Sequence, residues 1–248
     1  MTTTLGSLEP STALVILTVF GASFIRAVVG FGDGLFAVPL LAAQLGFRMA
    51  TPLAALVGLV MSLGGLLQGW RSVNLSAIRG LIVGGAIGIP LGVILIRVIP
   101  EDLAKLALGT LLIVYASIQL IGLNPTSLPD ERSAPLFGFM SGILGGAFNT
   151  SGPPVVVYAS LRRWPPETFK SNLQSFFIIT NLIAICGHAI GGLWTPKLLE
   201  LFIWSIPAVT LGTWLGGLVG RRIPQALFTK LVYVMLIVLG GLFMASAF

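Results

Sequence analysis

Ten apolar blocks run along the chain, separated by short polar or glycine-containing breaks: 11–30, 34–46, 51–69, 77–97, 103–122, 135–149, 152–162, 170–192, 199–220 and 228–247. Several reach the ~20 residues that an α-helix needs to cross a ~30 Å hydrocarbon core. The pattern predicts an all-α polytopic membrane protein. The first two blocks of each half depart from it, being short or interrupted by glycine and abutting almost without a loop. These are expected to be broken or re-entrant segments. The longest polar stretch, Asn124 to Pro135 (NPTSLPDERSAP), separates the halves.

An offset of 124 residues, half of the 248-residue length, lays GIPLGVILIRVIP (Gly88 to Pro100) over GTWLGGLVGRRIP (Gly212 to Pro224). Gly88/Gly212, Gly92/Gly216, Arg97/Arg221, Ile99/Ile223 and Pro100/Pro224 are identical pairs. Shared low complexity explains a Gly match, but not an Arg-x-Ile-Pro ending in register. Residues 1–124 and 125–248 are therefore read as two repeats of about five helical segments within one membrane domain. Five segments, or the three crossings left if each first pair is a re-entrant hairpin, is an odd number. On either count the second half is expected to lie inverted.

The loops bear on orientation. Arg71, Arg79, Arg132, Arg162, Arg163, Lys170, Arg221, Arg222 and Lys230 fall on one face, against Arg48, Arg97, Lys105 and Lys197 on the other. Nine cations against four predict that the first face is cytoplasmic in the inner membrane and that both termini lie outside. The first apolar run has no basic leader or small-residue cleavage site and is expected to be retained as a span.

Composition narrows the function. Hydrophobic residues make up 56% of the chain and charged residues 9%, with mean hydropathy +1.00. A soluble domain carries roughly 25% charged residues. The net charge of +6 resides in short loops and marks orientation, not a nucleic-acid surface. Cys186 is the only cysteine, and neither a phosphate-binding loop nor a metal-ligand spacing occurs, so no cofactor or metal is expected.

Candidate chemistry concentrates at the two breaks. GFGDG (Gly30 to Gly34) precedes LFAVPLL, and GGAFNTSGPPVVVY (Gly145 to Tyr158) contains the second. Glycine permits an unwound backbone, and each break starts a half-helix whose first N–H groups lack partners. Two such starts meeting in the membrane make an anion site. Gly32, Asp33 and Gly34 belong to the first, and Asn149, Thr150, Ser151, Gly152 and Pro153 to the second. Ser151 fits as a helix N-cap, with proline tolerated in the first turn behind it.

Arg26 is an intramembrane cation and a functional candidate by default. It either meets the bound anion or pairs with Asp33, which lies about 10 Å away along a continuous helix and so needs the break. Asp33 itself is a helix cap, an ion-pair partner or a protonatable coupling group. Gln174 and Asn181 share one face of the predicted helix 170–192, either lining the cavity or bonding to a neighbouring helix. His188, the only histidine, is a helix–helix hydrogen-bonding group or a second coupling candidate. Glycines at four-residue steps (Gly80 to Gly92, Gly138 to Gly146, Gly212 to Gly220) make smooth stripes for close packing within the chain or in a homodimer.

At these breaks the sequence resembles the TauE/SafE family of membrane anion transporters. The resemblance rests on Gly30, Gly32 and Gly34 with Val38, Pro39, Leu40 and Leu41, and on Gly145, Gly146, Gly152, Pro153, Pro154 and Tyr158. It departs at Asp33, where the family usually has glycine, and at Ser151, where a second glycine is usual. The resemblance implies a secondary active transporter of small sulfur-containing oxyanions (sulfite, sulfonates), working by alternating access with a coupling proton or sodium ion. A passive anion channel shares the same site. A membrane-embedded pyrophosphate phosphatase is a poorer match, since it needs more intramembrane carboxylates than Asp33 alone.

Overall fold

The computed structural model describes residues 10–67, 70–122, 130–222 and 224–247. The first half of the polar stretch between the repeats, 124–129, and Ile223 of the repeated motif lie outside the described residues. Those described form ten α-helices and no strand: α1 (Pro10–Val29), α2 (Asp33–Leu45), α3 (Phe47–Leu67), α4 (Leu75–Val98), α5 (Glu101–Ile121), α6 (Ala134–Phe148), α7 (Gly152–Leu161), α8 (Pro166–Ile190), α9 (Pro196–Gly220) and α10 (Gln225–Ala245).

Local chemistry sets the helix ends. The Asn74 side chain accepts from the Ala77 N–H at 3.2 Å to cap α4. Thr195 does the same for α9, accepting from Leu198 N–H at 3.1 Å. Pro166 and Pro196 open α8 and α9, where a missing N–H costs nothing. Glu101 and Asp102 sit in the first turn of α5, against the positive end of its dipole. The α3 and α8 starts lie about four residues ahead of the predicted segments, because their amphipathic first turns also wind into helix. Arg48 and Lys170 therefore stand on helices and not in loops.

Among the described residues seven helices are long and apolar enough to cross a membrane: α1, α3, α4, α5, α8, α9 and α10. Helices α2, α6 and α7 have only 13, 15 and 10 residues. In the first half the interruption thus follows a full-length α1, whereas in the second half both α6 and α7 are short.

The principal packing partners are α4 with α6, α1 with α9, α3 with α8 and α5 with α10. Advancing each helix number by five exchanges the first two pairs and returns each of the others to itself. The glycine stripes lie in the first two contacts. A Cβ on Gly84, Gly88 or Gly92 would collide with the α6 backbone, and one on Gly138, Gly142 or Gly146 with that of α4. Gly212 and Gly216 meet α1 in the same way. The four-residue spacing is used for packing within the chain.

Candidate functional site

The first break is built by glycine. The Gly30 N–H donates to the Arg26 carbonyl at 2.7 Å, and Gly30 and Gly32 then both take φ 95°. Side chains with a Cβ rarely adopt this left-handed region. Gly32 occupies the N-cap position of α2, and the reversal carries Asp33 back over the end of α1. Arg26 Nη1 donates to Asp33 Oδ2 at 2.9 Å. Of the roles open to Asp33 in the sequence, the cap position therefore belongs to Gly32, and the carboxylate makes the ion pair.

Arg26 joins four helices. Its Nη2 donates to Ser62 Oγ of α3 at 2.6 Å and to Gln174 Oε1 of α8 at 2.7 Å. Gln174 Nε2 in turn donates to the Gly30 carbonyl at 3.1 Å, and Ser62 to the Gly58 carbonyl at 2.6 Å. The guanidinium carbon lies 5.2 Å from the centre of the Phe177 ring, a cation–π contact. Arg26 and Asp33 are only 6% and 8% exposed. Charges buried this deeply are tolerated when paired and hydrogen-bonded. Arg26 Nε is buried with no hydrogen-bond partner among the described residues. Sequence reasoning missed Ser62 and Phe177. Ser62 is signalled only as a lone hydroxyl in an apolar run, and Phe177 by nothing.

The second break uses asparagine in place of glycine. Asn149 ends α6 at φ 50°, a left-handed conformation that asparagine tolerates better than most side chains. Its N–H donates to the Gly145 carbonyl at 2.9 Å, and the Thr150 N–H to Leu144 at 3.2 Å. Ser151 holds the N-cap position of α7, but its hydroxyl makes no capping bond, contrary to the expectation. Its backbone is helical (φ −69°, ψ −9°), whereas a capping side chain needs an extended one. Its carbonyl instead accepts from the Ser141 hydroxyl.

The two breaks touch. A Cβ on Gly34 would collide with the Asn149 carbonyl oxygen. Between them lies a cavity of about 20 Å³. Every predicted substrate residue lines it except Pro153 and Gln174, and Leu35, Phe177 and Asn181 complete it. Pro153 is buried behind the α7 start, and Gln174 stands on the other side of Arg26. Arg26 also forms the floor of a 460 Å³ vestibule that reaches Ser72, Glu167 and Lys170. A second vestibule of 670 Å³ opens at Arg48, Arg97 and Gly192. The two lie at opposite ends of α8, whose 25 residues span about 37 Å. His188 lines none of these cavities. It is fully buried, its Nε2 3.2 Å from the Gly146 carbonyl, and ties α8 to α6.

These features define a multi-pass helical membrane protein with paired helix breaks around a buried ion pair. The chain belongs to the family described as Sulfite exporter TauE/SafE, whose pattern matches residues 15–243. Its members are membrane transporters and not enzymes. The chain is 26% identical over 216 residues to the probable sulfite/organosulfonate exporter TauE of Cupriavidus necator, covering 82% of this chain and 80% of that protein. No solved structure matches it.

Proposed function

We propose that the protein is a secondary active transporter moving small sulfur-containing oxyanions, sulfite or organosulfonates, across the inner membrane by alternating access. The observation that carries this reading is the meeting of two helix starts beside Arg26, which also lines the 460 Å³ vestibule. At α2 the N–H groups of Asp33, Gly34 and Leu35 lack intrahelical acceptors, and at α7 that of Gly152 does, since Pro153 and Pro154 have none. Both helix dipoles present their positive ends there. The name of the Cupriavidus necator relative supports a sulfur oxyanion and outward movement.

A cavity of about 20 Å³ has room for about one water and none for an oxyanion. Loading therefore requires Arg26 to swing aside or α2 and α7 to part, which favours alternating access over an open channel. Asp33 and the anion compete for Arg26. A proton delivered to Asp33 together with the anion frees the guanidinium, which makes a proton the coupling ion of this reading. The exchange of helix contacts by steps of five supports two repeats, 1–124 and 125–248, inverted about the site.

The test is methanesulfonate binding and flux in proteoliposomes, because the charge of this anion is constant over the neutral range. Wild-type flux is expected to follow an imposed proton gradient, and that of Asp33→Asn to be indifferent to it. Arg26→Gln, and the charge-balanced Arg26→Gln/Asp33→Asn should the single variant fail to fold, are expected to lose at least about tenfold in affinity. Flux of Asp33→Asn that still follows the proton gradient removes the coupling role. Wild-type flux without Arg26 removes the site.

A further inference from the structure

The face with fewer cations carries a second concave surface that the Arg26 site does not explain. Its 670 Å³ vestibule is formed by the ends of α2 and α4, the start of α3 and the α8–α9 connection. Arg48 and Arg97 both line it, together with Met49, Val98, Gly192 and Thr195. The charges of this face are unevenly matched. Lys105 lies 3.6 Å from both Glu101 and Asp102, and Lys197 3.3 Å from Glu200. Those three carboxylates are the acidic groups described on this face, and lysines take all of them. Neither Arg48 nor Arg97 makes an ion pair among the described residues. Arg48 Nη2 donates to the Arg97 carbonyl at 3.1 Å, which commits one of the five N–H donors of its guanidinium.

Two cations without a carboxylate partner therefore share one hollow, and no carboxylate among the described residues lines it. Such a hollow focuses field lines and concentrates anions. Guanidinium groups match the paired oxygens of tetrahedral oxyanions. Thr195 accepts from Leu198 N–H, so its own hydroxyl hydrogen remains to be donated. Arginines that merely snorkel to a membrane surface account for the exposure, but not for both facing one cavity. On the proposed topology this is also the outer face, where unpaired arginine runs against the usual bias. That point alone rests on the proposed orientation.

We infer that this vestibule is a second oxyanion site, where Arg48 and Arg97 jointly hold one tetrahedral anionic group at the end of the molecule opposite the Arg26 vestibule. A free sulfonate or sulfate and the phosphate of an anionic lipid share this chemistry, and the experiment separates them. Radiolabelled sulfate is bound to the full chain in phosphatidylcholine nanodiscs, in the Arg26→Gln/Asp33→Asn background that silences the central site. Sulfate is expected to bind there still, and to weaken by about tenfold or more when Arg48→Gln and Arg97→Gln are added. Arg48→Lys with Arg97→Lys, which keeps the charge and loses the fork, is expected to recover part of the loss. Repeating the measurement with phosphatidylglycerol identifies the source. Sulfate affinity that falls only when both arginines are present assigns the lipid phosphate, and unchanged affinity assigns the free oxyanion. No sulfate binding in the Arg26→Gln/Asp33→Asn background, or binding indifferent to the Arg48→Gln/Arg97→Gln pair, overturns the inference. Because this background lacks the central site, the result is independent of the transport reading.

Discussion

Replacing Asp33 by asparagine leaves Arg26 as a buried cation held only by Ser62, Gln174 and the Phe177 ring. Breaking a buried pair from one side costs about 3–5 kcal/mol. The Asp33→Asn protein is accordingly expected to melt at lower temperature in detergent. Added sulfate should raise its midpoint more than it raises that of the wild type, because the anion replaces the lost carboxylate. Equal shifts in the two proteins would show that the anion does not reach Arg26. Both partners of this pair stand out in the sequence as charges within apolar runs. Their contact was only one of two alternatives there, because it depends on Gly30 and Gly32 turning the chain through a left-handed backbone. Ser62 and Phe177 reach Arg26 only through the packing of α3 and α8, and spacing within one helix carries no trace of that.

Among the helices, some glycines meet a neighbouring backbone, some only side chains and some nothing at all. Gly142→Val places a side chain against Gly85 of α4 and is expected to lower stability by at least about 1–3 kcal/mol, read as a thermal midpoint in detergent. Gly241→Ala has open space around its new Cβ and is expected to be neutral or stabilising by up to about 1 kcal/mol. Similar losses in the two variants would refute the close-packed α4–α6 contact. The helices themselves were legible, since a length of apolar residues is enough to define a span. Their places in the bundle were not. The spanning window of α3 is 61% buried and that of α10 only 22%, although α10 is the more apolar. Lipid and protein interior ask for the same side chains, so hydropathy does not separate a central helix from a peripheral one.

Across the whole molecule, two vestibules approach from opposite ends of α8, with the Arg26 cluster and the 20 Å³ cavity between them along that helix. The proposed topology puts the nine-cation face in the cytoplasm. An alkaline phosphatase fused after Phe248 is expected to be active outside the inner membrane, and a green fluorescent protein there to stay dark. The opposite pattern would reverse both the orientation and the sidedness assigned to Arg48 and Arg97. The proposed orientation rests on the loop charges alone, whereas the two vestibules depend on how distant helices meet.

Synthesis runs from α1 to α10, so α1 and α4 reach the bilayer before α9 and α6 exist. Until those partners arrive, the narrow faces of the early helices have only acyl chains or an insertion factor to lie against. A chain severed between α5 and α6 would yield two fragments, each lacking the other's closest neighbours, and their assembly becomes a step of biogenesis with its own concentration dependence.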